Sequence, residues 1–140
     1  KAIINMRHIF RYRSGFTLVE LMVVVIILAV LLGIAIPVYF VLKERALESS
    51  TEAEMKNMVH AIELYKNDNG QYPPEDSFPA DIAHYYQQLP SRDSWGSPYV
   101  YELTAESYQL KSSGKDKIPG TGDDIVFEEG NMVGEGAYHN

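Results

Sequence analysis

Hydrophobic and polar positions fall into three regimes along this chain. From Leu21 to Leu42 no residue carries a charge. As a helix rising about 1.5 Å per residue, that stretch spans about 33 Å, enough to cross the hydrocarbon core of a bilayer. After Lys43 the apolar residues become periodic. Ala53, Met55, Met58, Val59, Ile62 and Tyr65 approximate one stripe at helical spacing, while Glu44, Glu48, Glu52, Lys56, Glu63 and Lys66 fill the other faces. Glu52 and Lys56 stand four apart, a pairing that supports a helix weakly. Together the two patterns predict one nearly continuous helix from Phe16 to about Asn69, ended by Gly70 and barred from continuing by Pro73 and Pro74. The third regime alternates. "YVYEL" (99–103) and "SYQLKS" (107–112) read as strands joined through Thr104, Ala105 and Glu106, and "DIVFEE" (124–129) reads as a third. Residues 75–92 form a long connection, with a short helix expected in "ADIAHYYQQL", and "GNMVGEGAYHN" reads as a polar tail. The predicted fold class is α+β. A long N-terminal helix, membrane-spanning in its first half and amphipathic in its second, packs on a small antiparallel sheet.

Charge sharpens this picture. The 140 residues suit one ordinary domain and carry a formal net charge of −7. Lys1, Arg7, Arg11 and Arg13 precede Phe16 and no acidic residue does, so the chain from residue 16 onward carries −11. That balance excludes nucleic acid as a strong partner of the isolated subunit. The arginines before the apolar stretch predict a cytoplasmic N-terminus, and the stretch is too long for a simple secretory signal. There is no cysteine, so neither a disulfide nor a thiol nucleophile is available. His8, His60, His84 and His139 are scattered without metal-ligand spacing, and Ser14, Ser112 and Ser113 lie in segments apart from His60 and His84. The chain reads as a structural or binding protein and not as an enzyme.

One residue strains the reading as an ordinary membrane anchor. Glu20 places a carboxylate just inside the apolar segment, where an unpaired charge is costly. It belongs to the string "GFTLVEL", and Gly15, Phe16, Thr17, Leu18, Val19 and Glu20 closely resemble the cleavage and methylation signature of the type IV pilin and pseudopilin superfamily. The resemblance implies cleavage after Gly15 by a prepilin peptidase and N-methylation of Phe16. Met6 is a natural start for a leader running to Gly15, with residues 1–5 as an upstream extension or a start-site artefact. The new amine at Phe16 of one subunit and Glu20 of its neighbour would then neutralise each other within a shared bundle of helices. Gly33 and Pro37 extend the resemblance. Pro37 leaves the carbonyl of Gly33 without its helical partner, so a kink or melted turn is expected between them.

Two further blocks narrow the family. "DNGQYPP" and "LPSRDSWGSPYVYE" resemble the major pseudopilins of type II secretion systems, with Asp93, Trp95, Gly96, Pro98 and Tyr99 as turn and packing residues. "SSGKDKIPGTGDDI" (112–125) carries three hard oxygen donors, Asp116, Asp123 and Asp124, on a loop able to fold back on itself. On spacing alone it is either a cation site or a solvated acidic loop held by turns of its own aspartates. It resembles the calcium loop of those pseudopilins, which implies calcium held by the three aspartates and by carbonyls near Ser113 and Ile118. Lys117 departs from the family's usual glycine, and Lys115 and Lys117 add positive charge.

The implied organisation is a leader (1–15), a transmembrane and polymerisation helix (16–42), an amphipathic helix (43–70), a connection, sheet and cation loop (71–128), and a polar tail (129–140). The implied partners are other copies in a helical filament, the peptidase, an inner-membrane assembly platform and minor pseudopilins. The implied location is the inner membrane before assembly and a periplasmic or extracellular filament after it. Two alternatives remain open on the residues. One is a type IV pilus subunit for adhesion, motility or DNA uptake. The other is a monomeric membrane-tethered calcium-binding module.

Overall fold

The computed structural model describes residues 15–86 and 88–134. Residues 1–14 and 135–140, with most of the leader and the end of the expected tail, lie outside the described residues. The chain divides into two compact units at Tyr39 and Phe40, and one helix, α1 (Leu18–Asn69), contributes to both.

In the first unit every described residue is exposed, including the apolar run from Leu21 to Val38. A helix apolar on all faces requires an apolar surrounding, either lipid or other helices. The helix is unbroken through Gly33 and Pro37, so the melted turn expected there is absent. Pro37 removes a single N–H, and the bonds on either side of it are enough to keep the backbone helical.

In the second unit α1 presents Met55, Met58, Val59, Ala61 and Ile62 to a buried core. Ala53, expected in that stripe, is exposed, whereas Glu48, expected on an outer face, is buried together with Thr51. The helix ends where expected. Gly70 adopts φ +76°, and its N–H donates to the Lys66 carbonyl at 2.7 Å. Among its described residues the connection holds only a short 3₁₀ turn, Ala80–Ile82, whose Ile82 is buried.

The sheet has four antiparallel strands in chain order: β1 (Val100–Leu103), β2 (Tyr108–Ser112), β3 (Ile125–Glu128) and β4 (Asn131–Gly134). Tyr101, Tyr108, Leu110, Ile125 and Phe127 project from one face into the core. β2 and β3 show the alternation buried–intermediate expected of a sheet covered on one side.

β4 falls in the stretch read as a polar tail, and this corrects that reading. A two-residue connection, Glu129 and Gly130, turns the chain with φ +49° and +79°. Positive φ at both central residues matches the right-handed twist of paired strands. Met132 then pairs with Phe127 and packs against the core.

Candidate functional site

Two places carry the chemistry anticipated from the residues. The first is the start of α1. The Thr17 N–H donates to Glu20 Oε2 at 2.9 Å, and the Thr17 hydroxyl lies 2.9 Å from the same oxygen. The Glu20 N–H in turn donates to Thr17 Oγ1 at 3.2 Å. These reciprocal bonds form a capping box, which satisfies two N–H groups that a helix start otherwise leaves without partners. The sequence signal of such a box is a threonine followed three residues later by a glutamate, and Thr17 supplies the cap, a role that the resemblance did not assign to it. Phe16 is 78% exposed beside this box, and Gly15 precedes it. Gly33 and Pro37 lie further along α1 and are not part of the constellation.

The second place is the loop between β2 and β3. Gly114, Lys117 and Gly120 all take positive φ, so the chain folds back tightly. Lys117, at +62°, adopts a conformation that a glycine takes without steric cost. A Cβ on Gly114 would lie 2.2 Å from the Asp123 carbonyl oxygen and 2.8 Å from its Oδ2, so only glycine fits. The loop is tied by its own carboxylates. Asp123 Oδ2 accepts the Asp116 N–H at 2.9 Å, Asp116 Oδ1 accepts the Ile118 N–H at 2.8 Å, and Asp124 Oδ2 accepts the Gly120 N–H at 2.6 Å. The Thr121 hydroxyl lies 2.6 Å from Asp123 Oδ1 and 3.0 Å from the Ile118 carbonyl.

Burial works against ionisation of Asp123, but hydrogen bonds from the Thr121 hydroxyl and the Asp116 N–H outweigh it and hold this carboxyl below its ordinary range. Among the described residues, no three carboxylate or imidazole side chains gather around one point. The structure therefore brings Asp116 and Asp123 together through a backbone N–H, and sets Asp124 beside Gly120. The donor set of carboxylates, hydroxyl and carbonyl is the all-oxygen chemistry that calcium takes, and each carboxylate keeps lone pairs beyond those occupied by N–H groups.

A third arrangement emerged only from the tertiary structure. The segment from Asp93 to Tyr99 is fastened to α1 by three side chains of the helix. The Trp95 indole N–H donates to Glu44 at 3.0 Å, the Tyr99 hydroxyl to Glu54 at 2.7 Å, and the Thr51 hydroxyl pairs with Ser94 at 2.9 Å.

One helix, apolar and exposed in its first part with a glutamate in its capping box, and packed in its second part on a small antiparallel sheet, fits the class of pilin-like proteins. In agreement, residues 10–36 match the prokaryotic N-terminal methylation motif. Residues 39–128 match the family of type II secretion system protein G, and the chain belongs to that family. Curated relatives named type II secretion system core protein G share its sequence over most of their length. The protein of Klebsiella michiganensis is 32% identical over 130 residues, covering 81% of this chain and 91% of the relative. That of Pectobacterium carotovorum is 35% identical, covering 81% and 84%. That of Escherichia coli is 34% identical, covering 81% and 90%. No solved structure matches the chain.

Proposed function

We propose that this chain is a non-catalytic filament subunit, the major pseudopilin of a type II secretion system, whose polymerisation promotes export of folded proteins. The observation that carries this reading is the first unit, whose described side chains are all exposed and almost all apolar, with Glu20 the lone charge among those described residues. Such a helix is satisfied in the inner membrane as a single span, and equally by other copies of itself in a fibre.

In this reading a prepilin peptidase cuts between Gly15 and Phe16, and the Phe16 amine is methylated. Glu20 of one subunit pairs with the Phe16 amine of the next, fixing register as subunits leave the membrane for a periplasmic or extracellular fibre. An inner-membrane platform and minor pseudopilins assist. Gly33 and Pro37 weaken the helix locally, which eases that transfer. The deciding experiment is Glu20→Leu in the native host. It should leave a membrane-inserted subunit that is excluded from filaments and retains exoprotein in the cell. Filaments at wild-type levels would refute the role, and an intact mass that still included residues before Phe16 would refute processing.

The β2–β3 loop is proposed to hold calcium through Asp116, Asp123 and Asp124, with carbonyls near Ser113 and Ile118 completing the shell. Bound there, calcium would supply positive charge that pins the loop and couples its occupancy to folding. Calorimetry showing no heat with calcium, together with thermal stability unchanged by a chelator, would remove this assignment.

A further inference from the structure

The acidic loop and the turn that grips α1 are joined by one buried chain of hydrogen bonds. Asp93 is only 5% exposed. Its Oδ1 accepts the N–H groups of Trp95 at 3.1 Å and Ser97 at 2.7 Å. Its Oδ2 accepts the hydroxyl proton of Ser112 at 2.7 Å. Ser112, wholly buried at the end of β2, in turn accepts the N–H of Gly114 at 3.3 Å. Gly114 is the residue on which the Asp123 backbone and carboxylate close. At the other end, Trp95 and Ser94 reach Glu44 and Thr51 on α1. Every link from the loop to the helix is therefore a direct hydrogen bond, a short chain contact or a one-residue step. The bonds that Asp93 receives from Ser97 and Ser112 are charge-assisted and buried, the setting in which such bonds are strongest, and the one from Trp95 is part-buried.

We propose that Asp93 and Ser112 are positioning residues that relay the conformation of the Gly114–Asp124 loop to α1 at Glu44 and Thr51. Ser112 is the narrow point. Its hydroxyl bridges two segments, using its one proton toward Asp93 and a lone pair toward Gly114. Closing the loop sets Gly114, Gly114 orients the Ser112 hydroxyl, and that hydroxyl fixes the carboxylate around which the Trp95 turn is wound. A change in the loop, including occupancy by any cation, is then felt where the turn grips the helix. The relay does not depend on which ligand the loop takes, because its members are all residues of the chain.

The test uses the lone tryptophan of the sequence as a reporter at the far end. In the full-length chain in detergent micelles, Asp123→Asn loosens the loop without touching the turn. It should shift Trp95 emission and speed amide exchange at Trp95 and Ser97 by about tenfold, the equivalent of weakening one charge-assisted hydrogen bond. In a Ser112→Ala background, adding Asp123→Asn should leave Trp95 emission and those amides where Ser112→Ala alone put them. A merely structural Ser112 would instead give additive effects. Faster exchange in the loop with no response at Trp95 overturns the proposal, and so does an Asp123→Asn response that survives Ser112→Ala. Should Ser112→Ala fail to fold, the first comparison decides alone.

Discussion

Substituting Gly114 by alanine separates the tight closure of the acidic loop from its backbone conformation. Gly114 has φ +61°, and a residue with a Cβ in this left-handed region pays about 1–2 kcal/mol. The added Cβ also lies 2.2 Å from the Asp123 carbonyl oxygen and 2.8 Å from its carboxylate, and relieving such overpacking costs about a further 1–3 kcal/mol. The expected loss is about 2–5 kcal/mol, a large share of the stability of an ordinary domain. Gly120 is the internal control. It has φ +88°, with nothing within 4 Å of where a Cβ would lie, so its alanine variant should lose only the backbone part, about 1–2 kcal/mol. Urea titration of the full-length chain in detergent, followed by Trp95 emission, gives both values from the shift in midpoint at constant slope. Equal losses at the two glycines would show that Asp123 does not approach Gly114, and the account of the loop would fail.

Other consequences can be checked on the same preparation. Glu48 is 3% exposed and its Oε1 has no hydrogen-bond partner among the described residues, so Glu48→Met should raise stability by about 1–3 kcal/mol, and a lower urea midpoint would mean the carboxylate is satisfied after all. Burial raises the hydroxyls of Tyr99, Tyr101 and Tyr108 above their ordinary value, with Glu54 adding to the shift at Tyr99. The unfolded chain then ionises first, so stability is intact below about pH 10 and falls as pH climbs past it. A urea midpoint unchanged into that range would contradict the burial. Asp123 has the opposite sign: its stabilisation is present above about pH 4 and is lost as pH drops through its lowered folded-state value, a loss that Asp123→Asn should abolish. Thr17→Val removes both hydroxyl contacts of the capping box, and amides in the first turn of α1 should exchange about fivefold faster or more, the equivalent of losing about 1 kcal/mol of cap. Unchanged exchange there would show that the box contributes nothing to the helix start.

Reading from residues to structure worked best where one local rule sufficed. The uncharged run, the stripe of Met55, Met58, Val59 and Ile62, the stop at Gly70 and the three alternating strands each follow from a periodicity or a backbone preference that acts over a few residues. The string around Glu20 was equally plain, because a carboxylate against an apolar run is conspicuous without any knowledge of its surroundings.

Tertiary structure decided the rest. Nothing in "EEGNMV" announces a strand, since Glu129 is not a usual residue for a turn with positive φ; β4 forms because Met132 can pair with Phe127 and reach the core. Ala53 is exposed and Glu48 buried, the reverse of what was expected, because the stripe on α1 is aimed by what docks against it, and the Ser94–Trp95 turn docks at Thr51. The buried carboxylate of Asp93 looked like a turn residue until Ser112, 19 positions away, was seen to donate to it. Periodicity reports how a segment wants to fold, and it is blind to which distant segment will supply the partner for a buried polar group.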